Sequence, residues 1–235
     1  MSSLLYNCEA FGPALPEKLE TIYNKLIRSA LKVRSNTPPL IIYIESGLLP
    51  IRALVEVRQF KYFSRFQDSL RPLSERKTVF DSLMQDPSKY LKHYIQLTET
   101  YGDYRDIYQN HLQRMKDQIR EYAANGRTKF ATYLSYNPEL EPSPFLNCMH
   151  PVSRDIIRFR VGSHCLPIET GRWSQRKREE RLCDACQVVG DENHYLFSCS
   201  RLDRSDLVLS GDVKEIWDHP DIFKLVYRLK SLELL

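Results

Sequence analysis

A cluster of four metal-capable side chains limits the folds that are open to this chain. The stretch CDACQVVGDENHYLFSC carries them with the spacing C-x2-C-x7-H-x4-C, at Cys183, Cys186, His194 and Cys199. The C-x2-C spacing allows one tight turn to aim two thiols at a common point. The residues after it predict a brief helix that begins near Asp191 and ends before the last cysteine. Because three thiolates and one imidazole close a tetrahedral set, the pattern predicts a structural Zn2+ ion.

Other interpretations of the cluster stay open at this stage. The simplest is a group of ordinary buried thiols beside a packed histidine. A redox-active C-x2-C pair would need a surrounding βαβ pattern, which the sequence lacks. A zinc deaminase would need H-x-E upstream and Pro-Cys-x-x-Cys, but Leu182 precedes Cys183 and no histidine is followed by x-E. Soft sulfur donors also disfavour Mg2+ and Ca2+, so zinc is the metal that we expect.

Composition and charge exclude several classes of protein. The formal net charge is +4, so only local clustering of charge can argue for nucleic acid. The six cysteines are scattered and do not form the framework of a small disulfide-bonded domain. The sequence has neither a signal-peptide pattern at its first residues nor an apolar run of about 18 residues. We therefore expect no membrane partner and an intracellular location, nuclear or cytoplasmic.

Helical periodicity dominates the rest of the sequence, which predicts a mainly α fold. Apolar residues recur at helical spacing in PEKLETIYNKLIRSALKV and in PIRALVEVRQFKYFSRFQDSL. The stretch PLIIYIESG predicts a short helix or a buried strand that ends at Gly47, and Ser153 is a candidate N-cap. The same pattern predicts further helices at about 73–84, 88–100, 104–124 and 127–136.

The prolines predict where the chain divides. SYNPELEPSPFLNCMHP contains four prolines and has no periodicity, which is typical of a linker. We therefore predict a helical N-terminal domain over residues 1–137, a proline-rich linker over 138–151, and a C-terminal module over 152–235. The module would contain a basic helix, a small zinc knuckle and further helices.

A cationic segment precedes the cluster, and it suggests contacts with nucleic acid. Guanidinium groups bind phosphate through paired hydrogen bonds, and an indole can stack on a base. The alternative is a solvated charged loop with its tryptophan packed on the module. The candidate nucleic-acid-binding residues are Arg158, Arg160, Arg172, Trp173, Arg176, Lys177, Arg178 and Arg181.

These motifs resemble a known family. RFRVGSHCLPIETGRW followed by REERLCDACQVVGDENHYLFSCSRL is similar to the segment after the reverse transcriptase domain of non-LTR retrotransposons. Upstream, LLYNCEAFG and LIRSALKVRSNTPPLIIYIESGLLPI resemble the end of that family's palm and thumb region and the run that follows it. The resemblance covers most of the chain. The middle, from about residue 72 to residue 147, contains no motif of that family.

The resemblance implies thumb-like helices followed by a zinc knuckle that holds RNA or DNA near a polymerase. The family's ligand positions fall on Cys183, Cys186, His194 and Cys199. The family's polymerase needs metal-binding aspartates, usually in an (F/Y)-x-D-D turn, and this sequence contains no such turn. We therefore expect a non-catalytic nucleic-acid-binding tail whose polymerase body is absent from this chain. The alternative is a zinc-organised protein-interaction domain of a decayed or host-retained element.

Overall fold

The chain is mainly helical, as its periodicity predicted. The computed structural model describes Leu5, Cys8, residues 17–69, residues 89–208, Val213 and residues 215–235. These residues contain no β-strand. None of their helices is long and apolar enough to cross a lipid bilayer. The helix that we predicted at about 73–84 lies outside the described residues.

The described helices follow the predicted segments closely. Those predicted at 88–100, 104–124 and 127–136 are all present, with boundaries within a residue of the prediction. The α-helices, numbered in chain order, are α1 Glu17–Leu31, α2 Pro39–Ser46, α3 Ile51–Ser69, α4 Lys89–Thr100, α5 Tyr104–Ala124, α6 Thr128–Tyr136, α7 Ser153–Arg160, α8 Pro167–Trp173, α9 Glu192–Phe197 and α10 Ile222–Ser231. Short 3-10 helices lie at Pro144–Asn147, Arg178–Glu180 and Glu215–Trp217.

The apolar stretch PLIIYIES forms helix α2 and not a strand. A proline at the first helical position suits the start of this helix, because its missing N–H would have no partner there. The helix ends before Gly47, as predicted. Its consecutive residues Ile41, Ile42, Tyr43 and Ile44 are all buried. A helix that is apolar on every side is surrounded by protein.

Contacts divide the chain into two compact units, each made of two segments. The first unit comprises residues 1–25 and 49–115, and the second comprises residues 26–48 and 116–235. Residues on both sides of position 137 therefore belong to the second unit, and the boundary that we placed there stays a prediction.

A small apolar core holds the described part of the first unit together. Helices α3, α4 and α5 contribute Phe60, Leu97 and Ile107, all of them buried. Between α3 and α5, the imidazole Nε2 of His111 lies 2.7 Å from a carboxylate oxygen of Glu56. The helices of this unit are therefore joined by both apolar packing and a polar contact.

The second unit contains a buried ion pair between distant parts of the chain. The guanidinium of Arg160 donates from Nε to Oε1 of Glu45 at 2.8 Å, and the Glu45 side chain has no exposed surface. The Tyr133 hydroxyl donates to Oε2 of the same carboxylate at 2.9 Å. Burial and the neighbouring Glu45 carboxylate hold the pKa of Tyr133 well above its usual value, so it stays a donor. The pair therefore ties α2 and α6 to α7.

The proline-rich segment 138–151 is packed within the second unit. Leu140 and Phe145 are buried, and the Phe145 ring meets that of Phe223 edge-on with centroids 5.9 Å apart. The backbone N–H of Ser143 donates to the carbonyl of Glu45 at 2.9 Å. Apolar residues spaced between prolines therefore anchor a segment that has no helical periodicity.

The N-cap that we predicted for α7 is wrong. Val152 occupies the N-cap position, no side chain caps the helix, and Ser153 is its first helical residue.

Helix α10 packs beside α7, where the Lys230 ammonium lies 2.8 Å from a carboxylate oxygen of Asp155. Asp155 lies in the first turn of α7, where a negative charge interacts favourably with the helix dipole.

Replacing Arg160 with methionine should lower the free energy of unfolding of the second unit by about 3–5 kcal/mol, because the Glu45 carboxylate would remain buried without its counter-charge. Denaturant titration of the full chain measures the change. The double variant Glu45→Gln/Arg160→Met should recover part of it. Arg154→Met, at an exposed position of α7, is the control. Equal effects of Arg160→Met and Arg154→Met would show that the buried pair does not stabilise the fold.

Candidate metal centre and its basic flank

A tight hairpin brings the first two cysteines together. The backbone N–H of Gln187 donates to the carbonyl of Cys183 at 2.8 Å, and the N–H of Cys183 donates to Val188 at 2.8 Å. Gln187 adopts a positive φ of 55°, which turns the chain back. Leu182 and Val189 form an isolated antiparallel bridge below this turn. The hairpin therefore fixes the C-x2-C spacing in one local structure.

Helix α9 supplies the histidine of the cluster, and the residues just after the helix supply the last cysteine. It starts after Asp191, whose side chain accepts a hydrogen bond from the backbone N–H of His194 at 3.0 Å. This N-cap satisfies an otherwise unpaired donor at the helix start. The helix ends at Phe197, and the N–H of Cys199 then donates to the carbonyl of His194 at 2.8 Å. The short helix that we predicted is therefore confirmed, and its last turn folds the final cysteine back toward the histidine.

The four side chains form one cluster that could hold a metal ion. One donor atom from each of Cys183, Cys186, His194 and Cys199 lies within 4.8 Å of the other three. The sulfur atoms of Cys183 and Cys199 are 3.7 Å apart. A tetrahedral ion with metal–sulfur bonds of about 2.3 Å would place its sulfur ligands about 3.8 Å apart. The spacing therefore fits a shared ion, and no disulfide is formed among these cysteines.

The histidine has one ring nitrogen without a partner. His194 Nε2 is buried and makes no hydrogen bond, whereas Nδ1 lies 3.3 Å from the Ser198 hydroxyl. A buried polar atom without a partner is unfavourable, and an ion at the cluster would satisfy it. Partners on the second ring nitrogen are typical of metal-binding histidines, because they fix the ring orientation. This nitrogen is therefore the imidazole donor expected at the cluster.

Hydrogen-bond donors also surround the thiols. The Tyr195 hydroxyl donates to the sulfur of Cys183 at 3.4 Å. The backbone N–H of Ser200 donates to the sulfur of Cys186 at 3.3 Å, and the Ser200 hydroxyl lies 3.1 Å from it. Donors aimed at sulfur favour the thiolate, which is the form that binds metal.

Two neighbouring thiols differ in their affinity for a proton. Burial acts to raise the pKa of Cys183, but hydrogen bonds from the Tyr195 hydroxyl and from backbone N–H groups outweigh burial and lower this pKa to about 6. Burial raises the pKa of Cys199 to about 11, and the adjacent Cys183 sulfur adds to the rise. Because like charges at this distance repel, ionisation of one thiol disfavours ionisation of the other unless a cation lies between them.

Arg204 stabilises the backbone around Cys199, the last cysteine of the cluster. Its guanidinium donates to the carbonyls of Cys199 and Tyr195, each at 2.6 Å. The Tyr195 carbonyl lies in the last turn of α9, where a helix leaves acceptors unsatisfied, and the Cys199 carbonyl lies just beyond it. Our sequence analysis did not identify this arginine. Its only signal is a cation a few residues beyond the end of a predicted helix.

Helix α8 packs against the hairpin through two glycines. A Cβ atom at Gly171 would lie 2.4 Å from Cγ of Arg181, and one at Gly190 would lie 2.8 Å from a ring carbon of Pro167. The N–H of Ile168 donates to the carbonyl of Gly190 at 3.1 Å. The absence of a side chain at these two positions therefore lets α8 approach the cluster closely.

Five of the predicted nucleic-acid-binding arginines, Arg172 among them, have partners within the fold. Arg160 is buried in its ion pair with Glu45. Arg158 lies 3.2 Å from the Asp155 carboxylate, and Arg178 lies 2.7 Å from that of Asp191. Arg181 donates to backbone carbonyls of Arg176 and Ile168.

Arg172 is half-buried, whereas Trp173, Arg176 and Lys177 are exposed. Arg172 pairs with Glu169 and donates to the Thr128 hydroxyl at 2.8 Å. Arg176 and Lys177 are exposed and form no ion pair with any described residue. Trp173 is 50% exposed. The surface available to a partner is therefore centred on Trp173, Arg176 and Lys177.

Comparisons with known proteins do not identify the chain: no family model, no curated protein and no solved structure matches it. The arguments about function therefore rest on the chemistry of the site and on the sequence resemblance.

Gly171→Ala should lower the free energy of unfolding by about 1–3 kcal/mol, because the new methyl group overlaps the Arg181 side chain. In an unhindered helix the same change would be stabilising by about 0.5–1 kcal/mol, so the sign of the effect is diagnostic. Thermal or denaturant unfolding provides the measurement. In an Arg181→Ala background the substitution should lose its destabilising effect. A stabilising Gly171→Ala in the native background would contradict the close packing of α8.

Proposed function

We propose that the cluster holds one structural Zn2+ ion. Three sulfur donors and one imidazole suit a soft or borderline ion, and four protein ligands leave no open position for catalysis. The buried, unpartnered Nε2 of His194 and the 3.7 Å separation of two sulfurs support this proposal. The ion would join the hairpin to α9.

The zinc would contribute much of the stability of this part of the chain. A segment of a few tens of residues buries too little apolar surface to fold on that basis alone. Structural zinc in small modules contributes about 10–16 kcal/mol at neutral pH. Tyr195 and Leu196, both buried, form the apolar contacts beneath the site. Binding of the ion and folding of the hairpin with α9 would then be coupled.

The zinc-stabilised module would be the non-catalytic tail of a retroelement reverse transcriptase. It would bind RNA or DNA through its basic flank, the cationic segment of residues 172–181 that precedes the cluster. One observation carries this proposal: Arg176 and Lys177, which lie between the half-exposed Trp173 and Cys183 in the sequence, are exposed and form no ion pair with any described residue. Cations without internal partners favour phosphate, and an indole provides a stacking surface. The resemblance to the segment after the reverse transcriptase domain of non-LTR retrotransposons supports the same assignment.

The remaining helices would pack against a polymerase body that this chain does not contain. Ile22 and Leu26 on α1 are 46% and 51% exposed, although both belong to its predicted apolar stripe. The buried stripe of that helix consists of Tyr23, Ile27 and Leu31. Large apolar side chains left in solvent one turn apart are typical of a surface that a partner covers.

An apolar hollow in the second unit favours the alternative function, a zinc-organised protein-interaction domain. A cavity of about 580 Å³ is lined in part by Pro151, Phe223 and Tyr227. Tyr227 is 65% exposed, and nearby in sequence Met149 is fully exposed. A protein partner at this surface would bind with little dependence on salt, because apolar contacts are not screened.

Cys186→Ser should release the metal and unfold the hairpin and α9, while the helices of the first unit stay folded. Elemental analysis of the purified chain measures zinc, and hydrogen exchange measures protection of residues 183–199. Cys148→Ser is the matched control, because that cysteine lies outside the cluster. Stoichiometric zinc in Cys186→Ser would contradict the proposed ligand set.

Binding to single-stranded RNA should weaken steeply as salt rises, because phosphate contacts release counterions. Filter binding at low and at physiological salt measures this dependence. The variant Arg176→Ala/Lys177→Ala should bind more weakly, with a shallower salt dependence. Lys18→Ala/Lys25→Ala, which removes two exposed charges from α1, should behave like the wild type. Retention that responds to neither salt nor the first variant would leave the protein-interaction alternative.

A further inference from the structure

A cationic cavity lies beside the metal cluster, between α8 and the hairpin. Its volume is about 380 Å³, and its walls include Gly171, Ser174, Arg176, Arg181, Asp184 and Arg201. Gly171 and Ser174 come from α8 and its C-terminal end, Asp184 comes from the hairpin, and Arg201 comes from the turn after the last cysteine. The cavity wall is therefore formed by α8 together with the hairpin and the turn that adjoin the metal cluster. Our sequence analysis did not identify Arg201 as a binding residue.

The charges in this cavity are unbalanced. Three arginines face a single carboxylate, that of Asp184. Within the described chain, the guanidinium groups of Arg176 and Arg201 have neither an ion pair nor a side-chain hydrogen bond, and both residues are exposed. Each guanidinium presents five N–H donors and no acceptor, so each requires an anion or water. The cavity is therefore suited to a ligand with negative charge.

The geometry of the cavity is fixed before any ligand arrives. Arg181 donates from Nε and Nη2 to the carbonyl of Arg176, and from Nη1 to that of Ile168. The N–H of Arg176 in turn donates to the carbonyl of Gly171 at 2.9 Å. These bonds hold the backbone of Arg176 against α8. A fixed backbone reduces the conformational entropy that is lost when the side chain binds an oxyanion.

An aromatic surface adjoins the cavity. Trp173 immediately precedes Ser174 of the cavity wall, and Cζ of Arg34 lies 4.4 Å from the centroid of its ring. Arg34 is held by the carbonyl of His164 at 2.7 Å and by the sulfur of Cys165 at 2.8 Å. The indole is thus supported on one side while half of its surface remains in solvent. Such a ring can stack on an unpaired base.

We propose that this cavity is a phosphodiester subsite for single-stranded nucleic acid, with Arg176 and Arg201 binding one phosphate and Trp173 stacking on the neighbouring base. The proposal rests on the nucleic-acid function proposed above, and it adds Arg201, the cavity and the preference for a single strand. The volume accommodates a phosphate together with its sugar, since pockets for small organic ligands begin at about 300 Å³. Unpaired bases are required because a duplex does not offer its base faces for stacking.

The first experiment measures the phosphate subsite with small probes. The metal-loaded full chain is titrated with inorganic phosphate, UMP and uridine, and the Nε–H signals of its arginines are followed by NMR. Phosphate and UMP should shift the signals of Arg176 and Arg201, whereas uridine should not. The variant Arg176→Ala/Arg201→Ala should lose both responses, and Lys18→Ala/Lys25→Ala should retain them. Unchanged signals in the wild type would overturn the subsite.

The second experiment uses a single-stranded oligouridylate and its duplex with oligoadenylate. Loss of both arginines should weaken single-strand binding by at least about tenfold and reduce the slope of log K against log salt by about 0.7, because the two arginines share one phosphate. Arg176→Lys/Arg201→Lys, which retains charge but not the paired donors, should recover only part of the affinity. Zinc content and thermal unfolding confirm that each variant is folded.

A Trp173→Ala variant separates the two parts of the subsite. It should weaken oligouridylate binding roughly five-fold or more while leaving the response to inorganic phosphate unchanged. If the wild type binds the oligonucleotide but Arg176→Ala/Arg201→Ala binds as the lysine control does, the subsite is overturned and the nucleic-acid function stands. If UMP binds and no oligonucleotide does, the cavity takes a free phosphate compound and both proposals fail as stated. Equal competition by poly-glutamate would indicate an acidic protein instead.

Discussion

The local structure between residues 165 and 205 depends on the convergence of three thiols with one imidazole nitrogen. The donors come from a hairpin, from a six-residue helix and from the residue two positions after that helix, and a helix of this length is not stable in isolation. The buried Nε2 of His194, which has no hydrogen-bond partner, and the close approach of two sulfurs are unfavourable once both thiols ionise, unless a cation is present. An ion that satisfies all four donors would hold the hairpin and α9 in a fixed relative position.

Most arginines near the cluster support the fold, and few remain for a partner. Arg204 and Arg181 donate to backbone carbonyls that no helix or strand satisfies, and Arg178 pairs with the N-cap Asp191. The number of positive charges in the sequence is therefore larger than the number of cationic side chains that are available to a partner. The residues that remain, Arg176, Lys177 and Arg201, are distinguished because they form no ion pair with any described residue, and not by their position in a basic run.

The sequence predicted the cluster because its four donors lie within a short stretch, where spacing limits local geometry. It likewise predicted α5 and α6, since their periodicity extends over several turns. It did not predict the ion pair of Glu45 with Arg160, which are separated by 115 positions. Periodicity shows that a helix has a buried face, but it does not show whether an arginine on that helix meets solvent or a distant carboxylate. For that reason Arg160 was grouped with the nucleic-acid contacts, although the structure buries it.

The proposed zinc site and the phosphodiester subsite share structural elements, so their ligands should influence each other. Asp184 and Arg181 belong to the hairpin that carries Cys183, and Arg201 follows Cys199 by two residues. Loss of the ion would free both of these segments and separate the cationic walls of the cavity. Linkage then requires that a bound phosphate raise the affinity for the ion by the same factor by which the ion raises the affinity for phosphate. The ion would therefore act on nucleic-acid binding without contacting the nucleic acid, because it sets the distance between Arg176 and Arg201.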